Sequence, residues 1–506
     1  MSRSYKHRLS DLSREGERSI TAQIVDVFTA AIEAGELEPG AQLPPTRRLA
    51  ELAGVNHLTA ARAYRKLAEL GLVAGRVGRG TFVRQNAPGA GQALAEAGDG
   101  SAWQLYALPD EVETPSDRIV GEMFNQARRE DLIPLMIGYP GDALFPAERF
   151  AAILGDVAAA EGARSHQYGD VEGAAELRHE LGALGREQGF ASSGEEIITT
   201  TGAAHGLTLA ARALLRPGDV VAVESPTFPG SLNALRATGA SLWPVPVDDD
   251  GLDVDALAQL TRRRQIKLVA LQPRLHNPTG RDLSAERRRR LAELARNEGF
   301  FIVEDGVYAD LRFEGESPGA LRAEAPEHVI YVSSLSKTVT PGLRVGWVAS
   351  SGPVFERILA EKRSAVLHTP LITELALARF LADGGYGHQL DAAIAFYGER
   401  CEALLGAVNE YLGGIAQVRR PLGGGHLWLS LSERIDERDL YEEAGRQGVS
   451  FLPGAAMMPE RPRRAHARLS FGYLDPPELR EGVKRFAAAI RAVGRADRQR
   501  EALPVA

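Results

Sequence analysis

At 506 residues the chain is about three times the usual single-domain length of roughly 150 residues, which excludes one small binding module and points to at least two domains. Apolar residues make up 44% and charged residues 25%, ordinary globular chemistry that excludes a wholly disordered, collagen-like or fibrous chain. A single cysteine, Cys401, excludes an internal disulfide and a cysteine-based metal cage; no metal site is expected, and a reducing cytoplasm is the expected compartment. The start is basic and then polar, and no later stretch approaches the roughly 20 apolar residues that span a bilayer, so neither secretion nor membrane insertion is expected. The net charge of −8 is uneven: residues 1–84 hold 13 Lys/Arg against 9 Asp/Glu, giving +4 and leaving −12 for the rest. A basic end on an acidic body suggests an anionic polymer as the partner of the N-terminus.

Ile20, Ile24, Val27, Phe28, Ala31 and Ile32 recur at three- and four-residue spacing, which predicts an amphipathic helix ended by Gly35. A second short helix is expected from Thr46, taken as its N-cap, to Ala53. Gly54-Val55-Asn56 then turns into a third helix ending near Gly71. Val73 to Val83, with Gly75, Gly78 and Gly80 interleaved with Arg76 and Arg79, reads as a two-stranded hairpin carrying guanidinium groups at its tip. Residues 85–101, rich in Ala and Gly, have almost nothing bulky to bury and read as a flexible linker. Beyond them the runs Val220–Val223, Leu268–Leu271, Phe301–Val303 and Val329–Val332 alternate with helical stretches, which predicts an α/β domain with a mostly parallel sheet over 102–506. The tail from Arg495 to Ala506 is charged and then nondescript.

A helix-turn-helix lays its last helix in the major groove of double-stranded DNA, the groove wide enough to admit it and displaying a distinct edge for each base pair. Asn56, His57, Thr59, Arg62 and Arg65 sit at or just after the N-terminus of that helix and are the candidate contacts. Arg47 and Arg48 are placed for phosphates, and Arg76 and Arg79 for a minor groove or backbone. The stretch Gly35 to Asn56, followed by Ala63-Tyr64-Arg65-Lys66-Leu67 and Gly78-Arg79-Gly80-Thr81-Phe82-Val83, resembles the winged helix-turn-helix of the GntR superfamily. His57 stands where that family often has arginine, so base preference does not carry over.

Further on, Ser333-Ser-Leu-Ser-Lys337-Thr-Val-Thr-Pro-Gly-Leu-Arg344 places a lysine in a Ser-rich turn ahead of Pro-Gly and an arginine. Phe301 to Asp305 is a buried-type strand ending in a carboxylate, with Tyr308 three residues on, and Asn277-Pro-Thr-Gly280 lies upstream. Thr200-Thr-Gly202-Ala203-Ala204 reads as strand, glycine turn and helix start, whose free amides suit a phosphate. In order and spacing these segments resemble fold type I aminotransferases, which depend on pyridoxal 5′-phosphate. The resemblance implies that Lys337 carries the Schiff base and that Asp305 partners the pyridine nitrogen. It gives Tyr308 and Asn277 the ring 3-hydroxyl, and Phe228 of Val223-Glu-Ser-Pro-Thr-Phe228 the ring face. Ser334, Ser336 and Arg344 join the amides of Ala203 and Ala204 at the phosphate. Many relatives place a hydroxyl and an amide where this chain has Ala203 and Ala204, so the side-chain grip on the phosphate is thinner. Tyr168, in Tyr-Gly-Asp-Val-Glu-Gly173, matches the segment that reaches the phosphate of a second subunit and implies a homodimer. Arg468, in Ala-Arg-Leu-Ser-Phe471, matches the arginine that grips a substrate carboxylate with a planar fork.

A DNA-binding domain over 1–84, a linker and an aminotransferase-like body together resemble the MocR-type transcriptional regulators along nearly the whole chain. The resemblance implies a regulator that senses the cofactor, or an amino compound displacing Lys337 from it. Members control genes for cofactor synthesis or for use of amino compounds such as γ-aminobutyrate or taurine. An aminotransferase with an accessory DNA-binding unit stays open as the alternative, and so does a pure cofactor sensor that never reacts with an amine.

Overall fold

The computed structural model describes residues 5–10, 12, 20–38, 40–55, 57–70, 72–76, 80–84, 129, 131–432, 435–460, 462 and 464–501. The chain divides into an N-terminal unit, residues 1–112, and a body, residues 113–506; the expected linker at 85–101 lies outside the described residues.

In the N-terminal unit the helices Ile20–Glu33, Thr46–Leu52 and His57–Glu69 are followed by strands β1 (Val73–Arg76) and β2 (Gly80–Val83), which pair antiparallel with Val73 opposite Val83. A further helix, Tyr5–Ser10, precedes them without having been anticipated. Ile24, Phe28, Leu49, Ala63, Leu67 and Val83 close one core, and the rings of Phe28 and Tyr64 meet at 5.9 Å. Each large side chain so buried contributes about 1.5–3 kcal/mol. Gly35, with φ +69°, stops the first helix in the left-handed conformation that glycine adopts without steric cost. Thr46 is not the N-cap: Pro45 holds that position, Thr46 is the first helical residue, and no side chain caps the helix.

The body's main sheet has eight strands: β4 (Ile197–Thr200), β5 (Val220–Ser225), β6 (Ser241–Asp248), β7 (Gly251–Leu252), β8 (Ile266–Leu271), β9 (Phe301–Asp305), β10 (Val329–Ser334) and β11 (Gly346–Ala349). The order across it is β4-β11-β10-β9-β8-β5-β6-β7, and only β11 and β7 run against the rest, as expected of a mostly parallel sheet. Alternate residues go to opposite faces. Val221, Val223, Leu268, Ala270 and Val303 pack with the helices Ala203–Leu214 and Gly352–Ala365, whereas Ala222, Val269, Leu271 and Ile302 pack with Ala285–Glu298. Both faces are therefore dry, which is why these strands read as continuous apolar runs.

A smaller antiparallel sheet joins β12 (Gln417–Val418), β13 (His426–Ser430), β16 (His466–Ser470) and β15 (Leu452–Pro453). The helices Gly385–Leu412 and Pro476–Glu501 cover it through Leu404, Val408, Phe486 and Ile490. The closing helix continues to Glu501, so the charged part of the tail from Arg495 is helical. Elsewhere β3 (Ile133–Pro134) pairs with β14 (Val449–Ser450), anchoring the segment that enters the body. No described helix is long and apolar enough to cross a membrane.

Candidate functional site

In open α/β sheets the crevice outside the carboxyl ends of the strands is where ligands bind. Here β8 ends at Leu271 and β9 at Asp305, and a cavity of about 340 Å³ opens beyond them. Its wall brings together Ala203, Ala204, Phe228, Asn277, Asp305, Tyr308, Lys337 and Arg468, eight of the sequence-derived candidates drawn from both sheets.

At the centre, Lys337 Nζ donates to the carbonyl of Gly138 at 2.9 Å and lies 5.8 Å from the centre of the Tyr308 ring. Burial, then the positive charge of Arg468, lower its pKa from the ordinary 10.5 to about 8, against the opposing pull of Asp305. The Asp305 carboxyl accepts from the amide nitrogen of Gln272 at 2.6 Å and from the backbone of Val307 at 3.1 Å. Burial raises its pKa, while those bonds and Lys337 act the other way; a protonated ring nitrogen placed opposite would stabilise the carboxylate further. Arg468 is buried and lowered to about 10 by desolvation; it donates to the Met136 carbonyl at 2.8 Å and to Asn277 Oδ1 at 3.3 Å. Tyr308 Oη donates to the Gly138 carbonyl at 3.1 Å.

The phosphate candidates gather at one turn beside this wall. Gly202, with φ +102°, leads into the helix Ala203–Leu214; the His205 and Gly206 amides donate back to the Gly202 carbonyl, which leaves those of Ala203 and Ala204 without a partner within the helix. Arg344 Nη2 donates to the Thr201 carbonyl at 2.8 Å, and its guanidinium would stand 2.9 Å from a Cβ added at Gly202. Ser334 is buried opposite Gly346, which in turn pairs with Thr200, and the Ser336 amide donates to Ser334 Oγ at 3.4 Å. Ser334 and Arg344 thus flank the turn, Ser336 joins it only through Ser334, and none of the three lines the cavity itself. Tyr168 lies apart, 78% exposed, with its ring edge-on to His368 at 5.2 Å.

This donor set fits pyridoxal phosphate: an amine of lowered pKa, a buried carboxylate, a ring to stack on, helix-terminus amides for phosphate and an arginine fork. Gln272, Glu224, Gly138 and His426 escaped sequence reasoning. Glu224 accepts from the Gln272 backbone at 2.8 Å, and burial pushes its pKa up to about 8. Only His426 left a trace, as the polar residue in Gly-Gly-Gly-His-Leu-Trp-Leu.

In the N-terminal unit Arg47, Arg62 and Arg65 are exposed and make no ion pair with a described residue. Arg48 is paired with Glu51 at 2.7 Å. Thr59 lies half-buried on the third helix; Asn56 and Arg79 lie outside the described residues, as do the side chains of His57 and Arg76.

A winged helix-turn-helix joined to a fold type I aminotransferase body with its lysine cavity defines a class of fused, cofactor-dependent DNA-binding proteins. The family model for aminotransferase class I and II matches residues 130–486, and that for bacterial regulatory proteins of the gntR family matches 20–83. The HTH-type transcriptional regulator TauR of Rhodobacter capsulatus is 30% identical over 95% of this chain and 98% of its own. The probable rhizopine catabolism regulatory protein MocR of Rhizobium meliloti is 27% identical over 95% and 96%. LysN, the α-aminoadipate aminotransferase of Thermus thermophilus solved with N-(5′-phosphopyridoxyl)-L-leucine, is 27% identical with a TM-score of 0.71, covering 78% of this chain and 100% of its own. The chain belongs to the aminotransferase class I and II family and, with its gntR-type unit, is a pyridoxal phosphate-dependent, DNA-binding transcriptional regulator of the MocR type.

Proposed function

We propose that the regulator acts as a cytoplasmic homodimer whose effector, an amino acid or related amino compound, is read at the Lys337 cavity. In this reading Lys337 bonds the cofactor aldehyde, Asp305 faces the ring nitrogen, Tyr308 and Asn277 face the 3-oxygen, and Phe228 lies on the ring. The amides of Ala203 and Ala204, with Ser334, Ser336 and Arg344, hold the phosphate; Tyr168 reaches a second copy, and Arg468 takes the effector carboxylate. When bound, the cofactor supplies an electrophilic carbon that an incoming amine can take from Lys337. In the N-terminal unit, Arg47 and Arg48 contact phosphates, Arg76 and Arg79 a minor groove or the backbone, and Asn56, His57, Thr59, Arg62 and Arg65 the bases and phosphates of the promoter.

The observation that carries this reading is that Lys337 and Arg468 share one cavity, and that both donate to the same short segment, at the Gly138 and Met136 carbonyls. A carboxylate at Arg468 competes with Met136, and an amine or aldehyde at Lys337 competes with Gly138. From composition alone, an Ala/Gly-rich linker of about 17 residues is expected to span roughly 20–25 Å as a coil and to transmit no rigid push. Effector control therefore needs contacts that differ between the two states of the site. The test is a reporter under the native promoter with wild type, Lys337→Ala or residues 1–84 alone. Lys337→Ala should keep DNA binding and lose both the visible cofactor band and the effector response; an unchanged response removes the cavity from sensing. The intact donor set also favours aminotransferase activity, and amino-group transfer from amino acids to keto acids by the purified protein would support that second reading.

A further inference from the structure

His426 is buried behind Tyr308 and takes no part in the roles assigned above. It stands on β13, with its ring edge-on to the Tyr308 ring at 5.2 Å and Nε2 at 3.0 Å from Tyr308 Oη. Its Nδ1 lies 3.0 Å from Ser470 Oγ, on β16 two residues beyond Arg468. Tyr308 has one hydroxyl proton, and that proton points to the Gly138 carbonyl. The contact with Nε2 therefore carries the imidazole's proton, and Nδ1 is left as an acceptor. Ser470 Oγ is 3.4 Å from the Met136 carbonyl, so its shorter contact, to Nδ1, takes its proton. The chain then runs in one direction, Ser470 to His426 to Tyr308, and ends in a hydroxyl aimed into the cavity. Burial and the charges of Arg468 and Lys337 hold the imidazole pKa far below its usual value, which keeps it neutral and the direction fixed.

We propose that His426 is a positioning residue that makes Tyr308 an outward donor to the cofactor's 3-oxygen, with Ser470 fixing the imidazole tautomer. By filling an acceptor position on Tyr308 Oη, the imidazole prevents the phenol from turning its proton inward, and hydrogen bonds in such a chain strengthen one another. Ser470 shares its strand with Arg468, so the effector-binding strand and the ring oxygen are tied by three side chains. The inference rests on the cofactor reading above.

A donor at the ring oxygen favours the deprotonated form of the lysine-bound cofactor, so weakening it raises the pH at which the visible spectrum changes. The titratable groups facing His426 are Tyr308, Lys337 and Arg468, with Asp305 beyond Tyr308; Tyr397, from the helix Gly385–Leu412, comes up beside Gly425. All of them stay in place in each variant, so a difference between variants isolates the imidazole. The experiment is a spectroscopic pH titration of full-length protein loaded with pyridoxal phosphate, as wild type, His426→Phe, His426→Gln and Ser470→Ala. His426→Phe fills the space without a hydrogen bond and should raise the midpoint by about half a pH unit or more. His426→Gln offers an amide N–H and should recover part of the shift, and Ser470→Ala should shift it less, in the same direction. A loaded His426→Phe protein that titrates as wild type overturns the proposal. If His426→Phe does not fold, an unshifted Ser470→Ala protein overturns it instead. A wild-type protein that gains no visible band refutes the cofactor reading, and the proposal falls with it.

Discussion

An ordinary lysine side chain is almost wholly protonated near neutral pH and captures aldehydes slowly; Lys337 should not be. With its pKa lowered from 10.5 to about 8, the neutral fraction at pH 7 is about 9% instead of about 0.03%, a gain of roughly two to three hundred-fold in the reactive form. Because only the free amine attacks an aldehyde, capture of pyridoxal phosphate by cofactor-free protein should rise with pH through a midpoint near 8 and level off above it. Burial is the first cause of the shift and Arg468 the second, so Arg468→Met should move the midpoint upward while leaving it below 10.5. The measurement is stopped-flow absorbance after mixing with the cofactor between pH 6 and 10, with Lys337→Ala as the blank. A wild-type rate still climbing at pH 10, as free lysine behaves, would refute the assignment of a desolvated amine to this cavity.

Arg62→Ala should weaken DNA binding: if Arg62 meets a base, discrimination between promoter and bulk DNA falls by about 1–3 kcal/mol. If it meets a phosphate, affinity falls on all sequences and the slope against salt flattens, both read by gel shift across a salt series. Arg48→Ala should cost less than Arg47→Ala, since Arg48 is already paired with Glu51. Gly346→Ala would place a Cβ 2.7–2.8 Å from backbone atoms of Gly202, Ala203 and Ser333, none of which can swing aside. It should lower stability by about 1–3 kcal/mol and weaken cofactor binding, whereas Gly342→Ala, with only Thr340 Oγ1 at 3.7 Å, should do neither. Equal behaviour of the two variants in thermal melts and cofactor titrations would refute the role given to that contact.

What was legible in the sequence was whatever one segment determines. The helix Ile20–Glu33 followed from apolar spacing and the two after it from cap and turn signals, and the candidates Lys337, Asp305 and Arg468, which the structure brings to one cavity, came from segments with their own local signature. The residues that were missed act across segments. Gln272 matters because β8 ends beside β9, so that its amide meets Asp305 33 positions away. Gly138 matters through a backbone carbonyl, which leaves no trace in side-chain chemistry, and meets Lys337 across 199 positions. The misplaced cap at Thr46 has a local cause: threonine is a good cap by type, but Pro45, with φ −53°, already stands at the helix entrance and moves the boundary back by one residue.

The two alanines at the proposed phosphate turn bear on how the rest of the site would work. Without a hydroxyl or amide at positions 203 and 204, the proposed hold on a phosphate leans more heavily on backbone N–H groups beside Ser334, Ser336 and Arg344, and those N–H groups bind well only while their directions are fixed. The packing fixes them: Gly346 brings β11 into backbone contact with Gly202 and Ala203, and Arg344 is tied to the Thr201 carbonyl at the same bend. Gly206 lets the first turn of the helix sit against Val332 and Val348, where a Cβ would come within 2.8–3.0 Å of their methyl groups. If the proposed phosphate site is right, cofactor affinity should depend on how closely β10, β11 and this helix pack, more than on any single phosphate ligand. A substitution that loosens this packing should release the cofactor even with Lys337, Asp305 and Arg468 all intact.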